Sequence, residues 1–217
     1  MPDLQKYDDE PDLIARSCKG DLDAFNVLVE RYQRGLYNVC LRMLGAAEAA
    51  EDATQEAFIR AFRSISTFRG ALSGGRPGSF RAWLFRIGAN ACYDEIRRRR
   101  ARAVVSLDQA YGGGEGTVDV PGGAATLDEH MERLEMVEAL QEALLRLPAE
   151  QRLAVVLADV QGMDYLEIAE AMGCSLGTVK SRISRGRSQL RMLLRERGEL
   201  FGFRLRQVSE GENDVVV

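Results

Sequence analysis

The chain has 217 residues, of which 46% are hydrophobic and 29% charged, and its formal net charge is -4. This apolar fraction suffices for a folded core, the length suits one large or two small domains, and the absence of a run of about eighteen apolar residues predicts no membrane span. The acidic start of the chain is unlike a secretory signal. Four widely spaced cysteines and a single histidine argue against a zinc site or a disulfide framework. Together these features favour a cytoplasmic protein with reduced cysteines.

Helical periodicity dominates the first hundred residues. Apolar residues recur at helical spacing over 21–45, and a second apolar pattern of the same period follows over 53–65. A glycine-rich break over 70–78 comes next, and Ser79 is placed to cap a third, long helix that ends in four arginines. We predict an all-helical N-terminal module that ends near residue 102, and no convincing strand anywhere in the chain.

The third predicted helix has two faces. The apolar face consists of Phe80, Leu84, Ile87 and Ala91, and the adjoining polar face of Arg86, Asn90, Tyr93 and Arg97. Cations, an amide and an aromatic ring beside a glycine-rich loop are typical of a platform for unpaired bases. The terminal arginines also suit the helix macrodipole, which is a purely structural explanation for part of that run. The only tryptophan, Trp83, is predicted to be a core residue.

A compositional change separates this module from the next. Glycine clusters over 104–127 predict a flexible tether, and helical periodicity resumes near Asp128. A helix over 148–162 is then followed by Asp164 and Glu167, whose spacing predicts a capping box. Gly173 ends that short helix and Ser175 is placed to cap the next one, so we predict a helix-turn-helix. The tail after Arg197 has no clear periodicity.

The last predicted helix carries the groups that would contact DNA. Its apolar stripe contains Leu176, Val179, Ile183, Leu190 and Leu193; the opposite face contains Thr178, Ser181, Arg182 and Arg185; the flanks contain Lys180, Arg187 and Arg191. Hydroxyls and guanidinium groups on the outer face, with cations beside them, are suited to a major groove and its phosphates. A solvated basic helix on an ordinary bundle is the alternative, but the glycine turn and the capped short helix favour DNA.

Charge is distributed in blocks along the chain. Residues 60–104 and 173–197 are strongly basic, and the segments before, between and after them are acidic. Two basic blocks on an acidic chain predict two DNA-contacting surfaces on a protein that otherwise repels DNA.

Three segments, taken together, resemble the sigma-70 family of bacterial transcription initiation factors, in its small extracytoplasmic-function group. EDATQEAFIRAFRSISTFRG resembles the core-polymerase-binding segment, SFRAWLFRIGANACYDEIRRRR the −10-reading and promoter-melting helix, and LPAEQRLAVVL through GTVKSRISRGRSQLR the −35-reading domain. The resemblance covers residues 12–195. It implies an all-α fold of two small domains, with region 2 over 12–102, a flexible glycine-rich linker over 103–127, region 4 over 128–197 and a tail of unknown role over 198–217.

The resemblance also assigns roles to residues. It implies that Asp52, Gln55, Glu56, Ile59 and Arg60 bind core RNA polymerase; that Phe80, Arg81, Trp83, Arg86, Asn90, Tyr93 and Arg97 bind the −10 element; and that Ser175, Thr178, Lys180, Ser181, Arg182, Arg185 and Arg187 bind the −35 element. For Asp52 and Glu56, compensation of a helix dipole is an equally good explanation.

The implied partners are the β′ and β subunits of core RNA polymerase, promoter DNA and an anti-sigma factor, which in this group is often membrane-anchored. No nucleophile–base pair or metal constellation is evident, so we expect no catalysis, no cofactor and no metal. Two other functions stay open: a stand-alone helix-turn-helix regulator, which would bind a duplex without polymerase, and a helical adaptor for acidic protein partners.

Overall fold

The structure, a computed structural model, describes residues 9–68, 79–105 and 127–201, with side chains over 9–68, 79–102 and 134–196. In these ranges the chain is helical and contains no strand. The helices are α1 (Glu10–Ser17), α2 (Leu22–Leu44), α3 (Ala47–Ser64), α4 (Phe80–Val105), α5 (Leu127–Arg146), α6 (Ala149–Val155), α7 (Tyr165–Met172) and α8 (Leu176–Phe201). The predicted glycine-rich loop, most of the predicted linker and most of the tail lie outside the described residues.

Helix ends follow the predicted capping residues. The Asp164 carboxylate accepts hydrogen bonds from the backbone of Leu166 and Glu167, and the Glu167 carboxylate accepts one from the Asp164 backbone N–H, so the capping box is confirmed. Gly173 ends α7 with a φ of 60°, a left-handed conformation that glycine adopts without strain. Ser175 accepts a hydrogen bond from the Thr178 backbone at the start of α8, also as predicted.

Two elements were not predicted. A short helix, α1, precedes the predicted start of the first module, and its Glu10 carboxylate accepts a hydrogen bond from the Tyr32 hydroxyl of α2. In addition, α6 continues as a π-helical turn over Val156–Val160 instead of an ordinary α-helix. There the Gln161 N–H donates to the Val156 carbonyl at 3.1 Å. Such a turn inserts one extra residue and depends on packing, which hydrophobic periodicity does not encode.

Each half of the chain has a buried core. The N-terminal module (residues 9–105) packs α2 against α3 and α4 around Leu28, Leu36, Val39, Met43, Leu84 and Phe85. The C-terminal module (residues 127–201) packs α6, α7 and α8 around Leu153, Leu157, Ile168, Val179 and Ile183. All of these side chains are at most 2% exposed, so hydrophobic burial provides the main stabilisation in both modules.

The two modules also pack against each other. The Arg152 guanidinium of α6, only 7% exposed, donates to the carbonyl oxygen of Met43 in α2 and to those of Leu145 and Leu147 in its own module. Gly45, at the end of α2, lies so close to Leu145 that a Cβ there would be 2.5 Å from a leucine methyl carbon. The sequence predicted two modules on a tether and did not indicate whether they touch; the structure adds this intramolecular interface.

Candidate nucleic-acid and protein interfaces

Helix α8 presents a cationic surface that its own apolar stripe orients. Val179 and Ile183 are buried against α6 and α7, which turns the opposite side of the helix outward. Arg185 on that outward side and Lys180 on its flank are exposed, and neither makes an ion pair with any described residue. Such unpaired cations can attract phosphates, because their charge is not compensated locally.

The other two predicted arginines of α8 are already bound to carboxylates. Arg182 donates to Glu150 of α6. Arg187 donates from Nε and Nη2 to the two carboxylate oxygens of Asp159, at 3.2 and 2.6 Å. The hydrogen bonds that Arg187 donates to Asp159 raise the pKa of Arg187 above its ordinary value. Both guanidinium groups are held in place by their carboxylate partners.

The hydroxyl groups at the start of α8 bond to their own helix. Ser175 Oγ and Thr178 Oγ1 lie 2.9 Å apart, and the Ser181 hydroxyl donates to the Thr178 carbonyl at 2.9 Å. Ser181 therefore offers DNA an acceptor oxygen more readily than a donor, since its one hydroxyl proton is already used.

Helix α4 begins in an aromatic cluster. The ring of Phe80 lies 5.6 Å from Tyr32, 5.6 Å from Phe68 and 5.5 Å from Trp83, measured between centroids. Phe80 is 2% exposed and Trp83 is half-buried against the same core. The expected core role of Trp83 agrees with this placement, and Phe80 supports the helix from inside rather than facing solvent.

The polar residues of α4 face the C-terminal module or solvent. Arg81 donates to the Gln161 carbonyl and lies 4.0 Å from the Glu167 carboxylate, both in the C-terminal module. Arg86 and Asn90 are exposed, and the end of Arg86 lies beside Gly173, in the turn of the helix-turn-helix.

Tyr93 and Arg97 continue this face along α4. Tyr93 is half-buried, and burial together with the Glu150 carboxylate raises its pKa to about 12, although the Arg182 charge opposes this rise. Arg97 is exposed and donates to Asp94 at 2.7 Å. The charge of Arg182, predicted to contact the −35 element, thus acts on Tyr93, predicted to contact the −10 element. Together with the hydrogen bond from Arg81 to Gln161, this indicates that the two surfaces partly face one another in this arrangement.

A groove of about 800 Å³ runs between α3 and α4. The structure brings together all five predicted partner-binding residues on its α3 wall, namely Asp52, Gln55, Glu56, Ile59 and Arg60. Its α4 wall contains Asp94, Glu95, Arg97 and Arg98. The groove combines carboxylates with an apolar side chain, Ile59, that is 39% exposed, which suits a helix carrying both basic and apolar groups.

Arg60 links the two walls of this groove. Its guanidinium donates to Glu56 at 2.7 Å and to Asp94 at 3.1 Å, and these hydrogen bonds raise the pKa of Arg60. Because α3 begins at Ala47, Asp52 and Glu56 lie beyond its first turn, where the helix dipole no longer favours a carboxylate strongly. The dipole explanation therefore applies to Glu48, in the first turn, and not to this pair.

The sequence patterns did not identify the residues whose side chains bind groups on a different helix. Glu150 and Asp159 hold arginines 32 and 28 positions away, and Arg152 holds a carbonyl 109 positions away. Periodicity could not reveal them, because it identifies the face of a helix and not the group opposite that face. Within α6, the only relevant sequence feature was the presence of charged residues beside an apolar stripe.

The described residues contain no cluster of three or more histidine, cysteine or acidic side chains that could hold a metal ion. Cys40 and Cys92 are buried thiols, and Cys18 and Cys174 are half-buried; none of them forms a disulfide. Among the described helices, none is long and apolar enough to cross a membrane.

Both modules of the chain match known protein families. Residues 28–102 match the family description "Sigma-70 region 2", and residues 137–190 match "Sigma-70, region 4". The chain is 36% identical to the ECF RNA polymerase sigma factor SigW of Bacillus subtilis over 186 residues, which span 84% of this chain and 95% of that protein. It is 35% identical to the ECF RNA polymerase sigma-E factor of Escherichia coli K12, over 82% of this chain and 90% of that one.

Two solved structures have a similar fold. The sigma factor RpoE in complex with the anti-sigma factor NepR, from Bartonella quintana, is 27% identical with a TM-score of 0.61, over 79% of this chain and 96% of that one. CnrH in complex with the cytosolic domain of CnrY is 28% identical with a TM-score of 0.58, over 85% of this chain and 96% of that one.

Proposed function

The chain belongs to the sigma-70 family, in its ECF group, and we propose that it binds core RNA polymerase and directs promoter-specific initiation through −10 and −35 contacts. We assign these tasks to region 2 over 12–102 and region 4 over 128–197, joined by a linker over 103–127. The observation that carries the proposal is the placement of cation-bearing helices α4 and α8 in separate modules, with a groove between α3 and α4 that is lined by four carboxylates and three arginines.

The groove between α3 and α4 is the proposed site for core polymerase. Asp52, Gln55 and Glu56 supply oxygens for basic groups on a partner helix, and Ile59 supplies an apolar contact. Arg60 is held by Glu56 and Asp94, so it stiffens the groove in addition to any contact of its own. Surface ion pairs of this kind contribute at most about 1 kcal/mol each, so the affinity would depend on the whole groove.

The proposed −10 contact uses the exposed face of α4. Opening the duplex costs a few kcal/mol per unstacked base, and captured single-stranded bases must offset that cost. Arg86 and Asn90 are exposed for this purpose, Arg97 can reach phosphates, and Trp83 and Tyr93 are only half-buried, which leaves part of each side chain for contact with bases. Phe80 contributes by holding the start of the helix in its aromatic cluster.

The proposed −35 contact uses the outward face of α8. Thr178, Arg182 and Arg185 would reach base edges in the major groove, while Lys180 and Arg187 lie on the flanks near phosphates. Ser175 and Ser181 supply further oxygens there, and the Ser175 side chain also caps the helix. Each module alone has modest affinity, and holding both on polymerase makes the second contact effectively intramolecular.

In the structure the two modules pack against each other, and we call this the closed arrangement. It adds a step to the mechanism. On the −10 face, Arg81 donates to Gln161 of the C-terminal module, and the half-buried Tyr93 is influenced by the charges of Glu150 and Arg182 in that module. Both promoter elements can be contacted together only after the modules separate. Core polymerase can drive that separation, because it binds the open form in preference to the closed one.

Regulation by an anti-sigma factor is part of the proposal. Two relatives of similar fold are described in complexes with NepR and with the cytosolic domain of CnrY. We expect a comparable partner here, together with action in the cytoplasm and no catalysis by the chain itself.

Run-off transcription tests the function directly. Core RNA polymerase is combined with a promoter library, with or without the full chain, and with an Arg182→Ala, Arg185→Ala double variant. We expect promoter-specific transcripts that require the chain and that weaken about tenfold or more in the variant, since two base-contacting side chains are removed. If the chain alone retards a duplex site in a gel while polymerase gains no promoter-specific initiation, a stand-alone regulator becomes the better interpretation.

A further inference from the structure

The first five cations of α8 fall into two classes. Lys180, Arg185 and Arg191 are exposed and make no ion pair with any described residue. Arg182 and Arg187 each hold a carboxylate from the segment that precedes the helix-turn-helix. Since all five lie on one helix, the difference depends on which groups of other segments lie opposite each side chain, and not on the sequence of α8 itself.

The two carboxylates hold the arginines in defined positions. Asp159 engages Arg187 through two parallel hydrogen bonds, a geometry that fixes the plane of the guanidinium group. Glu150 engages Arg182, whose side chain is 23% exposed while that of Glu150 is 61% exposed. All four residues belong to the C-terminal module, so the pairs do not require the closed arrangement.

A paired arginine meets DNA differently from a free one. The carboxylate compensates the charge of the paired arginine, so the pair attracts DNA phosphates more weakly than a free arginine does. Its orientation is set before binding, so less side-chain entropy is lost when it bonds to a base edge. A guanidinium group has five N–H donors, and a carboxylate that takes one or two of them leaves the others for a base.

We propose that Glu150 and Asp159 are positioning residues that determine specificity at the −35 element. Glu150 orients Arg182 and Asp159 orients Arg187 towards base edges, which extends the role of Arg187 beyond the phosphate contact on the flank of α8. Both carboxylates reduce the contribution of these arginines to non-specific phosphate binding. The unpaired cations Lys180 and Arg185 provide the general attraction to DNA, in addition to the base contact assigned to Arg185. This inference rests on the proposed function, because it concerns the same −35 surface.

The test uses polymerase reconstituted with the full chain. Promoter templates carry every single-base change across the −35 element, and Glu150→Gln and Asp159→Asn are compared with the unaltered chain. Glu138→Gln is the matched control, because Glu138 of α5 is an exposed carboxylate that forms no ion pair with any described residue, and its substitution changes the net charge equally. We expect discrimination at one or two −35 positions to fall about tenfold in each variant, and Glu138→Gln to leave it unchanged.

Two further measurements, the salt dependence of binding and a double variant, distinguish a positioning role from a general loss of DNA affinity. The plot of log affinity against log salt should steepen by about one unit in Glu150→Gln, because the released arginine gains a phosphate. In an Arg182→Ala background, Glu150→Gln should change the base preference no further. A wild-type base profile in both single variants, or an equal loss on all templates with no change in salt dependence, would overturn the inference. Absence of transcripts with the unaltered chain would instead contradict the proposed function.

Discussion

At the scale of single residues, burial and charge alter what a side chain can do. Tyr93 belongs to the predicted −10 surface, yet it is half-buried, and the charges of Glu150 and Arg182 in the C-terminal module act on it. Burial and the Glu150 carboxylate raise its pKa from an ordinary value of 10.0 to about 12, because both disfavour the phenolate. The neutral phenol is therefore favoured in the folded chain.

This shift predicts a pH dependence of stability. In the unfolded chain Tyr93 ionises near pH 10, whereas in the folded chain it does so near pH 12. The stabilisation is complete below pH 10 and is lost as pH rises towards 12, because ionisation then favours the unfolded state. We expect Tyr93→Phe to reduce the loss of unfolding free energy across that window, measured by denaturant titration. NMR of Cζ-labelled tyrosine checks the pKa itself, and titration of Tyr93 at its ordinary value would refute the burial argument.

At the scale of helices, caps and apolar stripes determine where each element begins and which side faces inward. The helix-turn-helix depends on the short α7, whose first turn is closed by the capping box of Asp164 and Glu167. An eight-residue helix has little stability of its own, so its cap and its buried Ile168 and Ala171 hold it in place. The position of α8 in turn depends on α7, because the two pack together.

Removing this cap should destabilise the chain in a way that separates hydrogen bonding from charge. Asp164→Ala loses the acceptor for the backbone N–H groups of Leu166 and Glu167, and we expect a loss of about 1 kcal/mol in unfolding free energy. Asp164→Asn retains an acceptor oxygen and should stay within a few tenths of a kcal/mol of the unaltered chain. Chemical denaturation measures both, and equal losses in the two variants would show that the charge, rather than the cap, matters.

At the scale of the whole molecule, the interface between the modules governs access to both DNA surfaces. Arg152 is a buried cation held by carbonyl oxygens, one of which belongs to Met43 at the end of α2. Gln141 of α5 accepts from Arg42 at 2.9 Å and donates to the carbonyls of Leu41 and Arg42 at 3.3 and 3.4 Å. All of these Gln141 bonds cross between the modules.

Gln141→Ala should therefore favour the open form. A net contribution of about 1 kcal/mol per hydrogen bond predicts that the ratio of open to closed molecules rises by about tenfold or more. Small-angle scattering and distance measurements between labels on the two modules would report the change as a larger separation. Gln189→Ala is the control, since the Gln189 side chain makes no hydrogen bond in the described structure. An unchanged distance distribution in Gln141→Ala would argue against these bonds as a source of closure.

Local sequence patterns determined the helices, their caps and the sides on which their charges lie. The capping box at Asp164, the left-handed Gly173 and the buried stripe through Val179 and Ile183 all follow from spacing, because each depends on residues within about one or two turns. The order of three such segments was also enough to indicate the family. Linker and loop flexibility, and the roles assigned to individual site residues, stay predictions.

Tertiary structure decided which of those charges are free and which surfaces are covered. Phe80 is enclosed by Tyr32, Phe68 and Trp83, and Arg182 is bound by Glu150 although both residues looked available for DNA contacts. The physical reason is that spacing along a helix specifies a direction from its axis, whereas burial and pairing depend on groups brought there from distant parts of the chain. Closure of the two modules, through contacts spanning about a hundred residues, is the largest consequence of that difference.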